Sequence, residues 1–198
     1  MLNMMQLPPA HNFESREQIL IQANSVKAVA ARKGLYSFLE RFDNEDIAPS
    51  AGLTISTREF TSSPDGNSIK IQAKSDEPLP CVYYINGGGM MAMSCYDGHY
   101  RSWGKIIAAC GVNVAMVDFR NCVTPGSAID VAPFSSGLND CVSGLKWVSE
   151  NAASMNIDPK RIIICGESGG GNLTLAAGLK LKQENKLDLI HGLYALCP

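Results

Sequence analysis

Short, continuous runs of apolar residues alternate along this chain with longer stretches in which apolar residues recur at helical spacing. The runs lie at residues 81–85, 114–117 and 162–164, and a mostly apolar stretch follows at residues 189–196. The helical stretches lie at residues 99–110, 137–151 and 169–184. Continuous apolar runs are typical of strands that helices cover on both faces. The pattern therefore predicts an α/β fold, a mostly parallel sheet with helices on both faces.

A different pattern precedes these runs. Apolar and polar residues alternate at residues 53–57 and again at residues 69–71, on either side of the turn sequence S-P-D-G at residues 63–66. Such alternation is typical of strands with one covered face. We predict two antiparallel strands at one edge of the sheet.

The N-terminal part of the chain carries two helical patterns. Ser15 and Gln18 have the spacing of a capping box at the start of the first pattern, and a second apolar stripe follows Gly34. We predict two amphipathic helices. A proline- and glycine-containing hinge at residues 48–52 separates them from the predicted sheet.

The sequence G-E-S-G-G at residues 166–170 lies between a predicted strand and a predicted helix. A sharp turn there holds the Ser168 hydroxyl exposed at the edge of the sheet, where a base can reach it. Side chains at Gly166 and Gly170 would collide in so tight a turn. The helix that follows directs the N–H group of Gly169 toward developing negative charge. On these residues alone, a glycine-rich turn with an incidental serine is an equal alternative.

A second glycine-rich sequence, N-G-G-G at residues 86–89, follows another predicted strand. Consecutive glycines can turn several backbone N–H groups into one concavity, as an oxyanion requires. A phosphate-binding loop is the competing interpretation. Because the chain contains neither G-x-x-x-x-G-K-[ST] nor G-x-G-x-x-G, nucleotide binding is not expected.

Composition mainly excludes functions. The 198 residues are 45% hydrophobic with a net charge of −2, which suits one sizeable core and offers no basic surface for nucleic acid. No apolar run reaches the roughly 18 residues of a membrane span, and the first residues lack the features of a secretion signal. Seven cysteines without metal-site spacing predict a cytoplasmic protein with reduced thiols, no metal and no cofactor.

The two glycine motifs resemble those of the hormone-sensitive-lipase-like branch of the α/β-hydrolase esterases, the bacterial family IV enzymes. Three further segments resemble that family in the same order, V-D-F-R at 117–120, P-F with G-L-N-D within 133–140, and I-D-P-K-R-I at 157–162. The resemblance implies an α/β-hydrolase fold. Residues 1–50 would form an N-terminal helical cap segment, and residues 51–198 the N-terminal part of the catalytic core.

The resemblance also implies a reaction, the hydrolysis of short-to-medium acyl esters through an acyl-serine intermediate. Ser168 would be the nucleophile. The backbone N–H groups of Gly88, Gly89 and Gly169 would form the oxyanion hole, with Gly87 supporting the loop.

Two features depart from the family. Asn86 stands where the family usually has a histidine, and we expect its amide to hold the loop by bonding to neighbouring backbone. In this fold an acid and then a histidine follow the serine in sequence. His191 begins a predicted strand, at the opposite edge of the sheet from Ser168. The catalytic acid and base are therefore expected beyond Pro198, with the fold incomplete in this chain.

Several alternatives stay open. The scaffold could serve a non-catalytic ligand-binding protein, and the same acyl-serine chemistry serves lactonases, peptidases and acyltransferases. The expected partners are a small-molecule ester and the remaining C-terminal part of the fold. A homodimer is a further open alternative.

Individual residues near the motifs have expected structural roles. We expect Asp118 and Arg120 to form an ion pair that holds the loop after them. The position of Asp140 early in a helix is explained by the helix dipole. Three methionines could line an acyl pocket, although at least one is expected to fill a gap in the core: Met90, Met91 and Met93.

Overall fold

A computed structural model describes residues 13–62, 77–127 and 130–198, together with the backbone of residues 67–72. The turn predicted at residues 63–66 lies outside the described residues, as do residues 1–12. Within the described part, the strands are β1 (Ile55–Phe60), β2 (Asn67–Gln72), β3 (Leu79–Ile85), β4 (Asn113–Asp118), β5 (Ile157–Glu167) and β6 (Gly192–Leu196).

These strands form one sheet in the order β1-β2-β4-β3-β5-β6. Strand β2 runs antiparallel to both β1 and β4, whereas β4, β3, β5 and β6 are parallel to one another. The predicted antiparallel edge and mostly parallel sheet are confirmed. The last strand begins at Gly192, three residues later than predicted, after a 3-10 turn at Leu187–Leu189.

Helices cover both faces of the sheet. The helices are α1 (Arg16–Ala23), α2 (Val26–Leu39), α3 (Gly98–Ala108), α4 (Ser136–Glu150) and α5 (Gly169–Gln183), with further 3-10 turns at Glu40–Phe42 and Ala152–Met155. Helices α4 and α5 pack on one face, where Tyr83 and Ile85 of β3 point. Helix α3 packs on the other face, against Tyr84. Every residue of β4 is buried, which explains the apolar run at its centre.

The N-terminal helices differ from the prediction in where they are divided. The Ser15 hydroxyl accepts a hydrogen bond from the Gln18 N–H group and caps α1, as predicted. The break between the helices lies at Asn24 and Ser25, because Asn24 closes α1 and the Ser25 side chain caps α2. Helix α2 continues through Gly34, which has open space around it.

Polar contacts hold this N-terminal segment on α3, since no residue of α1 or α2 is buried. The Asp43 carboxylate forms ion pairs with the Arg101 Nε atom at 2.5 Å and the Lys105 Nζ atom at 2.6 Å. Glu40 accepts a hydrogen bond from the N–H group of Gly98 at 3.0 Å. The segment is thus fixed to the start of the helix that follows the glycine loop.

The predicted ion pair between Asp118 and Arg120 is wrong, because Arg120 pairs with Asp140. The Asp140 carboxylate accepts from the Arg120 Nε atom at 2.9 Å, the Arg120 Nη2 atom at 2.7 Å and the Ser62 hydroxyl at 2.7 Å. Asp140 is fully buried and lies beyond the first turn of α4. Its role is to hold the loop after β4 by charge pairing, which a helix dipole alone does not explain.

Replacing Asp140 with alanine should lower the free energy of unfolding by about 3 to 5 kcal/mol, because Arg120 would be left without its counterion. Urea unfolding of the full-length protein measures this change. The matched control is Asp158→Ala, which removes an exposed ion pair with Arg161 and should lower the free energy of unfolding far less. Equal losses in the two variants would contradict the assigned role of Asp140.

Candidate active site

Ser168 occupies a strained turn between β5 and α5. Its φ angle is +52°, a left-handed value that is uncommon for residues other than glycine. Two backbone hydrogen bonds hold this conformation: its N–H group donates to the Leu196 carbonyl at 2.8 Å, and its carbonyl accepts from the Asn172 N–H group at 3.0 Å. The Ser168 side chain is exposed at the carboxyl edge of the sheet. The turn presents the hydroxyl to solvent as the sequence predicted.

Glycines are required on both sides of this serine. A Cβ atom on Gly166 would overlap the carbonyl of Gly170, and one on Gly170 would overlap the carbonyl of Ile85. The expected collision at these two positions is therefore confirmed. The turn can pack against the end of β3 only because both side chains are absent.

The N-G-G-G loop lies directly against this turn. A Cβ atom on Gly169 would lie 2.7 Å from both the N and Cα atoms of Gly89, so the two backbones touch. Gly88 and Gly89 have φ angles of +99° and +63°, which favour glycine. Within the described part of the chain, the N–H groups of Gly88, Gly89 and Gly169 donate to no protein acceptor. They are available to an oxygen atom bound beside Ser168.

Asn86 is buried at the start of this loop. Its side-chain nitrogen donates to the Gly87 carbonyl at 2.9 Å, which is the local contact expected of an amide replacing histidine. Among the described residues its side-chain oxygen has no hydrogen-bond partner. Asn86 therefore restrains the loop through one bond to neighbouring backbone.

Glu167 is a residue of the site that sequence reasoning missed. Its Oε1 atom accepts from the N–H group of Gly87 at 3.1 Å and from the Tyr100 hydroxyl at 2.8 Å. Burial and the charge of Glu167 raise the pKa of Tyr100, so its hydroxyl stays protonated and donates. The carboxylate joins the glycine loop, the serine turn and α3. Its place next to Ser168 in the G-E-S-G-G sequence was the available signal.

No described histidine contacts Ser168. His99 lies in α3 and stacks on Tyr100, with ring centroids 3.8 Å apart. His191 precedes β6, and its backbone N–H group donates to the Ile162 carbonyl at the edge of the sheet opposite Ser168. The third histidine of the sequence, His11, lies outside the described residues. The structure therefore brings no base to Ser168 within its described ranges.

Asp118 ends β4 in a buried position near the glycine loop. Its carboxyl accepts hydrogen bonds from the hydroxyls of Ser94, at 2.6 Å, and Ser127. Burial is the largest influence on this group and raises its pKa to about 6, although the Ser94 bond lowers it. Asp118 orders the segments after β3 and β4 through these hydroxyls and makes no described contact with Ser168.

Two of the three methionines named from the sequence line a cavity beside the glycine loop. Met90 and Met91 lie on its wall. Met93 instead packs in the core cluster under α3, near Tyr84. The expectation that at least one methionine fills the core therefore agrees with the structure.

Neither a metal site nor a membrane-spanning helix is found among the described residues. Across the described ranges, no three His, Cys, Asp or Glu side chains converge as a metal site would need. No described helix is both long and apolar enough to cross a bilayer.

The α/β sheet, the serine turn and the adjoining glycine loop together define a hydrolase scaffold. A family model described as alpha/beta hydrolase fold matches residues 82–198. The chain belongs to this family, in its hormone-sensitive-lipase-like branch.

Three relatives illustrate the match. The solved esterase Est22 is 61% identical with a TM-score of 0.93, covering 96% of this chain and 57% of its own. Brefeldin A esterase, described as a bacterial homologue of human hormone sensitive lipase, is 28% identical with a TM-score of 0.77, over 95% of this chain and 50% of its own. Carboxylesterase NlhH of Mycobacterium tuberculosis is 34% identical over 96 residues, 48% of this chain and 28% of that enzyme. This chain thus spans 50% to 57% of the two solved relatives named above.

The raised pKa of Asp118 predicts a pH dependence of stability. Because the folded carboxyl titrates near pH 6 and the unfolded one near pH 4, the folded protein binds the extra proton between these values. The contribution of Asp118 to the free energy of unfolding should therefore fall by about 2 kcal/mol as pH rises from 4 to 7. Urea unfolding of the wild type and of Asp118→Asn across this range isolates the effect by difference.

A matched control is Asp158→Asn. Hydrogen bonds from the Lys160 N–H group and the Arg161 side chain lower the pKa of Asp158, so its contribution to stability should be lost as pH falls. Between pH 4 and 7 the difference between the wild type and Asp158→Asn should therefore stay nearly constant, because this loss begins only below about pH 4, whereas the difference for Asp118→Asn should change. If the difference in free energy of unfolding between the wild type and Asp118→Asn does not change with pH, the raised pKa of the buried Asp118 carboxyl is contradicted.

Proposed function

We propose that the protein to which this chain belongs is a carboxylic ester hydrolase that acts through an acyl-serine intermediate. The observation that carries the proposal is the contact between Gly89 and Gly169, which sets three free N–H groups beside the exposed Ser168. The relatives named above as esterases support an enzyme over a ligand-binding protein on the same scaffold.

In the proposed reaction, the Ser168 Oγ atom attacks the ester carbonyl carbon as its proton passes to a base. The N–H groups of Gly88, Gly89 and Gly169 donate to the oxyanion of the tetrahedral intermediate. Its collapse expels the alcohol, which takes the proton from the base. Water then cleaves the acyl-serine in the same way and releases the acid.

The base and its acid are proposed to be a histidine and a carboxylate that follow Pro198. Two observations support this: neither described histidine contacts Ser168, and the solved relatives are longer than this chain. A base bound to the serine is needed because a free hydroxyl is a weak nucleophile.

Glu167 is proposed to position the oxyanion hole. Its carboxylate bonds to the Gly87 N–H group, so it fixes the loop that supplies two of the donors. Asn86 acts from the other side through the Gly87 carbonyl. Preorganised donors stabilise a transition state because they need not reorient when charge develops.

Residues 1–50 are proposed to form part of a cap over the site. Tyr36 of α2 accepts a hydrogen bond from the Met93 N–H group at 3.1 Å, and Arg16 of α1 donates to the Cys122 carbonyl at 3.0 Å. The contacted residues, Met93 and Cys122, lie in segments that follow β3 and β4 at the carboxyl edge of the sheet. A cytoplasmic location is also proposed, since all seven cysteines are free. A homodimer is the alternative assembly that light scattering would test.

Replacing Ser168 with alanine in the full-length protein should lower kcat for a p-nitrophenyl ester by about 10⁴-fold or more, because the acyl acceptor is removed. A fluorophosphonate should phosphonylate the wild type once, at Ser168, and leave the variant unmodified. The matched control, Ser154→Ala, changes an exposed serine in a 3-10 turn and should keep full activity. Substantial turnover by the Ser168 variant would show that another group performs the reaction.

Replacing Glu167 with glutamine should lower kcat about tenfold with little change in KM, since the hole loses its support but the substrate pocket stays. The Tyr100→Phe variant should show a smaller loss of the same kind. Steady-state kinetics on one p-nitrophenyl ester measure both, with Glu150→Gln as the control at an exposed carboxylate. A lower melting temperature with unchanged kcat would assign Glu167 a purely structural role.

A further inference from the structure

Residues 90–93 fold the end of the glycine loop back on Gly88. The Gly88 carbonyl accepts hydrogen bonds from the N–H groups of Met91 at 3.0 Å and Ala92 at 3.2 Å. A Cβ atom on Gly88 would lie 3.0 Å from the Cβ atom of Met93, so the end of the turn packs directly against a proposed oxyanion donor. The position of Met93 therefore influences where the Gly88 N–H group points.

Met93 has an unusual backbone conformation. Its φ angle is +72°, a left-handed value that residues other than glycine keep only where surrounding contacts hold it. Its carbonyl accepts a hydrogen bond from the side-chain nitrogen of the buried Asn121 at 2.7 Å. Its N–H group donates to the Tyr36 hydroxyl at 3.1 Å. Two side chains from separate segments thus hold the peptide groups on both sides of this residue.

Tyr36 reaches this point from the N-terminal segment, because it lies in α2. Burial raises the pKa of Tyr36, although the bond from Met93 lowers it, so the hydroxyl is neutral while its oxygen accepts. Glu40 and Asp43, which follow α2, bond to α3 and hold the segment there. The acceptor for the Met93 N–H group is therefore carried by a fixed helix.

The loop is thus held at two separate points. At its start, the Glu167 carboxylate accepts from the Gly87 N–H group at 3.1 Å. At its end, the Tyr36 hydroxyl accepts from the Met93 N–H group. The proposed donors of Gly88 and Gly89 lie between these two points. Donors held in this way need not reorient as negative charge develops, which is the condition for stabilising an oxyanion.

We propose that Tyr36 is a positioning residue of the oxyanion hole, so that the N-terminal segment fixes the catalytic donors in addition to covering the site. The inference rests on the proposed ester hydrolysis. Without the hydroxyl, the partly buried Met93 N–H group loses its acceptor, and the end of the loop can relax from its left-handed conformation. The Gly88 donor then fits the oxyanion less well. The transition state is affected more than the bound neutral ester, because the charge on the oxygen develops only there.

The Tyr36→Phe variant of the full-length protein removes only this hydroxyl. The kcat for p-nitrophenyl acetate should fall about fivefold with little change in KM, which is the factor expected for one neutral hydrogen bond. Formation and hydrolysis of the acyl-serine both pass through an oxyanion, so the loss appears whichever step limits kcat. The matched control is Ser37→Ala, which removes an exposed hydroxyl from the next residue of α2 and should keep full activity.

Inhibition by a trifluoromethyl ketone separates positioning from a purely structural role. In the adduct, the Ser168 Oγ atom bonds to the carbonyl carbon, the serine proton passes to the base, and the electron pair of the broken π bond forms an oxyanion. The inhibition constant should rise about fivefold in Tyr36→Phe, in parallel with the loss of kcat. A lower melting temperature with unchanged kcat and inhibition constant would overturn the proposal. A higher KM with unchanged kcat would also overturn it, because Tyr36 would then serve substrate binding.

The wild type distinguishes failure of this inference from failure of the proposed function. If the wild type neither hydrolyses p-nitrophenyl acetate nor is inhibited by the ketone, the proposed function fails and the role of Tyr36 falls with it. If the wild type is active and Tyr36→Phe leaves kcat unchanged, only the role of Tyr36 is overturned.

Discussion

Close backbone contact between two turns is the constraint on which the rest of the site depends. The turn after β5 and the loop after β3 can touch only because Gly166, Gly170 and Gly169 lack side chains. That contact sets the N–H groups of the loop beside Ser168. The parallel pairing of β3 with β5 brings the two turns to the same edge, so the sheet and the site depend on each other.

Around this contact, polar side chains hold separate segments in place. Glu167 connects the glycine loop to α3, and α3 in turn receives the N-terminal segment through Asp43. The buried pair of Arg120 and Asp140 holds the loop after β4 and also neutralises one wall of the cavity beside the glycine loop. Electrostatic contacts thus shape a site whose chemistry depends on backbone donors and one hydroxyl.

Much of this arrangement could be predicted from the sequence, for local reasons. Continuous apolar runs mark buried parallel strands, and the glycines around Ser168 mark a tight turn, because both features depend on neighbouring residues alone. Contacts between distant residues were missed. Glu167 bonds to Gly87 across 80 residues, and Arg120 pairs with Asp140, 20 residues away, because the fold brings α4 beside the end of β4. The sequence predicted the break at Gly34, but it lies at Ser25, where the side chain caps α2. The weak helix propensity of glycine was not enough to end α2 at Gly34.

The strained backbone of Ser168 has a consequence for the energetics of acyl transfer. Its N–H group is tied to β6 and its carbonyl to α5, so the main chain of this residue cannot relax in either direction. Only the torsions of its side chain remain free. Forming a covalent bond at Oγ therefore requires no rearrangement of the serine main chain, and the entropy that the serine itself loses is that of its side-chain torsions.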